Sequence, residues 1–188
     1  MTLRTMREKI GFLLETDIFS SCDNAASEEQ KLKAAMTQSI DMTLRKIARD
    51  TKCLKKEATL TFSAGSDGRA FAEMPSGLFA VEPGKGIYLC GDGLYSEHAG
   101  TYTFAYYSYP SEVTGDTDDS YEFELDDFAC DAAAYAVAAE LCSRLYPGDN
   151  ARYMRLMTEF DDRMVHLYEV GLKNTVGSLF SAGRGVML

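Results

Sequence analysis

Residues 100–110 read GTYTFAYYSYP, a stretch in which aromatic residues alternate with small or polar ones. A period of two is typical of a β-strand, because successive side chains point to opposite faces of a sheet. The rings on one face belong to Tyr102, Phe104 and Tyr106. The stretch therefore predicts an aromatic strand that builds a core, lines a ligand site or stacks on nucleic-acid bases.

The surrounding charges separate these three roles. A face that stacks on bases also carries cations, yet no lysine or arginine lies between Lys85 and Arg144. Large rings on the inner face of a small sheet supply much of its buried area. We predict that the strand builds the core, with a ligand wall as the alternative.

Shorter runs of the same period precede this strand. The segment EATLTFS, residues 57–63, alternates apolar with hydroxyl side chains, and turns with glycine or proline separate the runs that follow. Periodicities of three to four residues, typical of helices, occupy both ends of the chain. The predicted helices cover residues 2–15, 27–51, 126–146 and 149–170, and the predicted strands lie within 57–110.

These elements predict one α+β domain, residues 1–170. In this domain, N-terminal helices and a C-terminal helical hairpin pack around a central, mainly antiparallel β-sheet. The hairpin is predicted because the turn PGDN between the last two helices is short enough to join antiparallel helices. Thr2 and Ser27 are suited to cap the first two helices, and Asp126 or Asp127 the third.

Residues 171–188 form a separate segment that contains four glycines, at positions 171, 177, 183 and 185. This glycine content argues against a stable helix and predicts a flexible tail. Two interpretations stay open: a frayed terminus, or a segment that becomes ordered on a partner protein. Its apolar side chains are those of Leu172, Val176, Leu179, Phe180, Val186 and Leu188.

The formal net charge of −10 comes from 29 acidic and 19 basic residues. Affinity for nucleic acids and for anionic membranes depends mostly on cations, so the composition argues against both kinds of partner. Acidic residues concentrate in 112–127, where Asp116, Asp118 and Asp119 lack the glycine and the distal glutamate of a calcium loop. We predict a solvated acidic loop that leads into a helix.

The remaining side chains give no sign of a reaction. The five cysteines are widely spaced and form no CxxC pair, which favours reduced thiols over disulfides or a zinc site. Neither His98 nor His166 has a nearby serine or cysteine that suggests a nucleophile–base pair, so each is predicted to be a surface or packing residue. The stretch PGKGIYLCGDG, residues 83–93, departs from the phosphate-loop pattern. We predict no catalytic, cofactor-binding or metal-binding residue and no enzyme activity.

Membrane segments are not predicted either. The opening MTLRTMREKIGFLLETD lacks the uninterrupted apolar run of a signal peptide. No segment approaches the roughly 20 apolar residues that span a bilayer. The expected product stays soluble in the cell that makes it.

The order of these elements resembles that of the adaptor proteins of tailed bacteriophages, the head-to-tail connector group that includes podovirus tail tubular proteins. The resemblance rests on MTLRTMREKIGFLLE at the start, IDMTLRKIARD in the second helix, and then ATLTFSAGSDGRAFAEMPSGLFAVE and GTYTFAYYSYPSEVT in the strands. It continues through ELDDFACDAAAYAVAAELC and DNARYMRLMTEFDDRMVHLY, and so spans about residues 1–170.

The resemblance implies a structural protein of the virion neck, made in the cytoplasm of a bacterial host. Members of this family assemble as rings, usually dodecameric, that bind the portal protein and a tail or nozzle protein while duplex DNA passes without specific binding. The apolar side chains of 171–188 would then dock on the portal. The acidic side chains that would face the channel are those of Asp116, Asp118, Asp119 and Glu122.

Two alternatives stay open. A tail-completion or tail-terminator protein of the same virion has similar partners but lies further down the tail. A small-molecule-binding α+β domain instead uses the tyrosine strand as a pocket wall, and it needs polar groups that converge on a concave site.

Overall fold

The computed structural model describes residues 1–15, 27–65, 68–84, 86–91 and 93–182, except for the side chains of 27–30 and 172–182. Within these ranges the helices are α1 (Leu3–Leu13), α2 (Ser27–Thr51), α3 (Asp127–Leu145) and α4 (Asn150–Ala182). The strands are β1 (Lys55–Ala64), β2 (Ala70–Ala72), β3 (Leu78–Val81), β4 (Ile87–Cys90), β5 (Gly93–Ser96) and β6 (Gly100–Ser108). The predicted α+β class, with helices at both ends of the chain and an antiparallel sheet between them, is confirmed.

Helix α3 lies at the centre of the helical core. It buries ten residues, six of which are alanines. Small side chains let neighbouring helices approach closely, and alanine is also the best helix former. The other three helices contribute larger apolar side chains to the same core, among them Met6, Ile40 and Phe160.

The strands form one antiparallel sheet in the order β3-β6-β1-β2-β5-β4. Strand β1 joins two leaves of this sheet, because residues 55–62 pair with β6 whereas Ser63 and Ala64 pair with β2. We call β3-β6-β1 the first leaf and β2-β5-β4 the second leaf. Phe62, Leu94 and Phe104 belong to a small core between them, so the strand region has a core of its own.

The aromatic strand is β6, which lies between β3 and β1 in the first leaf. Phe104 and Tyr106 are buried in the core of the sheet, while Thr101 and Thr103 on the opposite face are exposed. On that exposed face the hydroxyl oxygens of Thr103 and Thr59 lie 2.8 Å apart. The prediction that this strand builds a core is confirmed.

Local side-chain signals set two of the helix starts. The Thr2 hydroxyl accepts a hydrogen bond from the Thr5 N–H, and the Thr5 hydroxyl accepts one from the Thr2 N–H, which makes a capping box at the start of α1. Asp126 accepts a hydrogen bond from the Ala129 N–H at the start of α3. The predicted caps at Thr2 and Asp126 are confirmed.

Helix α4 extends beyond its predicted end. The sequence predicts an end at residue 170, whereas the helical backbone continues through Gly171 and Gly177 to Ala182. A glycine costs about 1 kcal/mol in a helix interior, a penalty that a long, packed helix tolerates. Gly171 also serves packing, since a Cβ at this position would lie 2.5 Å from the carbonyl oxygen of Thr51 at the end of α2.

Candidate interaction surfaces

Residues 111–126, which we call the acidic strap, connect β6 to α3 and are fastened to α1 and α2. The Leu3 N–H donates a hydrogen bond to the Tyr121 carbonyl, and the Val113 N–H donates to the Asp41 carboxylate at 2.9 Å. Val113 and Phe123 are buried against the helical core. The strap is therefore a packed connection, and the prediction of a solvated loop holds only for its outward side chains.

Asp119 of the strap has a structural partner. It forms an ion pair with Arg7 of α1, a residue that is only 7% exposed. The other terminal nitrogen of Arg7 donates a hydrogen bond to the Thr37 hydroxyl of α2 at 2.9 Å. A buried guanidinium needs such partners, because an unpaired charge away from water is costly. Asp119 therefore holds the strap against α1 and α2.

The other acids predicted for a channel face point to solvent. Asp118 accepts hydrogen bonds from the hydroxyl and the N–H of Ser120, and these bonds lower the pKa of its carboxyl group. Asp116 and Glu122 are exposed, and the backbone of Glu122 pairs with that of Thr2. The strap thus presents exposed carboxylates on a backbone that the helices hold in place.

The residues predicted to dock on a portal lie in the C-terminal segment of the chain, residues 171–188. The backbone of residues 172–182 is helical, and residues 183–188 lie outside the described residues. The docking segment therefore stays a prediction from the sequence. Its side chains all fall outside the described part of the structure: Leu172, Val176, Leu179, Phe180, Val186 and Leu188.

Helix α4 carries an outward row of apolar and acidic side chains that sequence reasoning missed. Their spacing places them on one side of the helix, away from its buried face. Met154 is 60% exposed and Val165 59% exposed, and the other three are exposed as well. Large apolar side chains in an exposed row are typical of a surface that meets another protein. We call this row the α4 stripe: Met154, Asp161, Val165, Tyr168 and Glu169.

Helix α2 carries a corresponding row whose charge has the opposite sign. Its members recur at steps of four, four and three residues, which keeps them on one helical face. Met42 is 63% exposed, and the other three side chains are exposed too. The sequence signal that could have predicted this surface is a methionine among basic residues on one helical face. We call this row the α2 stripe: Gln38, Met42, Lys46 and Arg49.

The second leaf of the sheet carries an aromatic ladder on its exposed face. Phe71 of β2, Tyr95 of β5 and Tyr88 of β4 are cross-strand neighbours, with successive ring centroids 5.6 and 6.1 Å apart. The Phe71 ring lies over Gly93, where a Cβ would collide with it. Cross-strand ring pairs stabilise a sheet, so the ladder holds the three short strands together.

An open depression of about 510 Å³ lies beside the start of α1 and α3. Its carboxylates already have partners: Asp127 pairs with the amino group of Met1, and Asp131 pairs with Lys9 and Arg163. The tyrosine strand contributes no residue to its wall. The lining residues are Met1, Thr5, Asp127, Phe128 and Asp131.

The cysteines of the described residues are free thiols, and three of them, Cys53, Cys130 and Cys142, have little nucleophilic character. Burial raises the pKa of Cys130 to about 12, and it also raises the pKa values of Cys53 and Cys142. A thiol with a raised pKa is a poor nucleophile, because the thiolate is the reactive form. Among the side chains that the structure describes, no group of three or more His, Cys, Asp or Glu is placed to hold a metal ion.

The two histidines lie on the surface, as predicted. His98 is exposed before β6, where its carbonyl accepts a hydrogen bond from the Tyr102 hydroxyl at 3.2 Å. His166 is exposed on α4, and its ring centroid lies 5.0 Å from that of Phe128. The His166 ring therefore packs against a neighbouring ring, while the contact of His98 is made by its backbone.

No helix in the described ranges is both long enough and apolar enough to cross a membrane. Comparison with models of known protein families finds no match, and comparison with curated proteins finds none either.

Proposed function

We propose that the protein is a structural subunit of the connector between the head and the tail of a tailed bacteriophage, located in the neck of the virion. Its copies assemble as a ring of the kind that adaptor proteins form. The ring binds the portal protein on one side and a tail or nozzle protein on the other. Duplex DNA passes through its channel without being bound specifically.

The observation that carries this proposal is the pair of exposed stripes on α2 and α4. Met42, Met154 and Val165 are each about three-fifths exposed. A protein that acts on a small molecule concentrates its apolar surface in a concave pocket. Apolar rows along the outside of helices are instead typical of a protein that binds other protein chains.

The charge distribution supports a channel for DNA. Residues 57–149 contain 17 acidic and 3 basic side chains. Asp116, Asp118 and Glu122 of the acidic strap are exposed, while Asp119 serves the Arg7 ion pair. Carboxylates repel phosphates and offer no counterion release, so DNA beside this strap slides without adhering.

The order of the elements gives further support. Two helices, a strand region and two more helices follow one another along the fold. This is the order on which the resemblance to phage adaptors rests. The helical core and the sheet core are separate, so one subunit presents two kinds of surface to its neighbours.

Co-expression with the portal gene of the same genome, followed by electron microscopy of the particles, tests the proposal. We expect ring-shaped density of this chain bound to the portal. Removal of residues 170–188 is expected to abolish portal binding while the remaining chain stays folded. A full-length chain that never binds the portal contradicts the proposed function.

A second experiment addresses the channel. Reversal of the exposed strap charges, in Asp116→Lys, Asp118→Lys and Glu122→Lys together, is expected to impair genome packaging and to leave ring assembly intact. The matched control reverses three acids that are exposed in the strand region, Glu57, Glu73 and Glu97. Equal packaging by both sets of variants rules out the strap as the channel face.

A further inference from the structure

We propose that the α2 stripe of one copy packs against the α4 stripe of a second copy of this chain. The closed ring in which this pairing would occur rests on the proposed function. The pairing itself rests on the exposure, spacing and charge of the two stripes. The partner of each stripe is a neighbouring copy of the same chain.

The two stripes are comparable in length, and each offers apolar side chains to the other. Residues 38–49 of α2 span roughly 17 Å along the helix axis, and residues 154–169 of α4 span roughly 22 Å, at 1.5 Å per residue. Met42 stands out from the α2 stripe, and Val165 and Tyr168 offer it an apolar counterpart on α4. Methionine is flexible and polarizable, so it adapts to an uneven apolar surface.

The charges of the stripes are complementary. Lys46 and Arg49 are exposed on α2, where Arg49 also forms an ion pair with the adjacent Asp50. Asp161 and Glu169 are exposed on α4. The one basic residue between those two acids is Arg163, which turns inward to Asp131 at 2.8 Å and leaves the outer face acidic. Opposite charges that meet across an interface favour the correct partner and speed up its association.

The same charges select the arrangement of the copies. Pairing α2 with α2, or α4 with α4, would bring like charges together, which disfavours both arrangements. Pairing α2 with α4 uses two different surfaces of each copy, so every copy can bind one neighbour on each side. Two different surfaces in head-to-tail contact are what a closed ring requires.

Sedimentation velocity over a concentration series at low ionic strength tests the pairing in the full-length chain. Lys46→Glu with Arg49→Glu reverses the charge of the α2 stripe, and Asp161→Lys with Glu169→Lys reverses that of the α4 stripe. We expect each pair of substitutions alone to weaken self-association at least about tenfold. All four together are expected to restore it to within about threefold of the original chain.

A matched control reverses Arg4 and Arg144, two exposed cations outside the α2 stripe, and so changes the net charge as much as the α2 variant does. Circular dichroism checks that each variant is folded. Three outcomes overturn the pairing: a chain that is monomeric up to about 1 mM, reversed stripes that behave like the control, or a fourfold variant that does not recover.

This pairing and the proposed function fail in different ways. Portal-bound rings that do not respond to any stripe reversal contradict the pairing and leave the proposed function in place. Self-association that responds to the reversals, in a chain that never binds the portal, supports the pairing and contradicts the proposed function.

Discussion

Arg7 of α1 and Asp119 of the acidic strap form an ion pair that joins two parts of the chain 112 residues apart. Arg7 is buried, whereas the Asp119 side chain is 44% exposed. Water can therefore solvate the residue at position 119 when the ion pair is broken, but it cannot reach the guanidinium as easily. Asp119→Asn leaves the buried guanidinium without its counter-charge. We expect it to lower the free energy of unfolding by about 2 kcal/mol, measured by chemical denaturation.

Asp116→Asn is the matched control for this prediction, because Asp116 is an exposed acid of the same strap. Its free energy of unfolding should stay within about 0.5 kcal/mol of the original value. Equal losses in the two variants would mean that Arg7 does not depend on Asp119.

Gly171 brings α4 close to the end of α2, and its replacement tests that approach. Glycine to alanine in an exposed helix normally stabilises by about 1 kcal/mol. Here the added Cβ would lie 2.5 Å from the Thr51 carbonyl oxygen, a backbone atom that cannot rotate away. We therefore expect Gly171→Ala to destabilise the chain by about 1–3 kcal/mol in denaturant unfolding.

The neighbouring substitution Val170→Ala serves as the control for Gly171→Ala. Val170 is exposed, so the loss of its methyl groups should change the free energy of unfolding by no more than about 0.5 kcal/mol. A Gly171→Ala variant that is more stable than the original chain would exclude the close packing of α4 on Thr51.

Asp131 of α3 holds two cations that belong to other helices, Lys9 of α1 and Arg163 of α4. The Arg163 guanidinium carbon lies 4.0 Å from the ring centroid of Tyr135, and the Lys9 amino nitrogen lies 5.4 Å from it. Burial, together with the charge of Arg163, lowers the pKa of Lys9. Asp131→Asn should lower the free energy of unfolding by about 2 kcal/mol, because Lys9 and Arg163 then lose their shared counter-charge, and the exposed Glu159 that also pairs with Arg163 offsets little of their repulsion.

Salt separates this repulsion from a simple loss of packing. Since mobile ions screen partly exposed charges, the loss in Asp131→Asn should become smaller at 1 M salt than at low ionic strength. Glu8→Gln removes the partner of Arg4 in an exposed pair on α1 and is the control, with an expected change below about 0.5 kcal/mol. A loss that is independent of salt would assign the effect of Asp131 to packing.

Cys130 makes the stability of the fold depend on alkaline pH. The unfolded chain releases the thiol proton near its ordinary pKa of 9.0, whereas the folded chain keeps it up to about pH 12. The unfolded state thus binds fewer protons above about pH 9, and stability falls there as the pH rises. One such group contributes up to about 1.4 kcal/mol per pH unit, and below about pH 9 it contributes no slope.

Cys130→Ala removes this contribution. We expect its free energy of unfolding to fall less steeply between about pH 9 and 11 than that of the original chain, as measured by urea denaturation. The smaller side chain also lowers the free energy of unfolding by an amount that does not depend on pH. Comparing the slopes of stability against pH, rather than the stabilities themselves, removes this constant difference. Parallel slopes would contradict the assignment of the alkaline loss to Cys130.

Several features of the fold are predictable because their signals are local. Thr2 and Asp126 cap α1 and α3 through hydrogen bonds to N–H groups three residues away, a relation that the sequence displays directly. Phe104 and Tyr106 occupy the core because alternation assigns them to one face of a strand.

Other features depend on contacts that no local pattern encodes. The pairing of Asp119 with Arg7 spans 112 residues, so an acid that resembles a solvated one turns out to hold the strap. Helix α4 continues past residue 170 through Gly171, whose close approach to the Thr51 carbonyl is likewise a long-range contact. The aromatic ladder depends on the register of strands of three or four residues, which alternation alone does not fix.

The junction within β1 has a mechanical consequence. Among the described residues, Ser63 and Ala64 are the β1 residues that pair with β2, and the Gly65 N–H donates one more hydrogen bond to the Arg69 carbonyl beside them. Since so few hydrogen bonds cross this joint, the two leaves are held together mainly by the side chains of the core that they share, such as Phe62, Leu94 and Phe104. Loss of side chains from that core is therefore expected to loosen one leaf from the other before it disturbs the alanine-packed helices, which have a separate core.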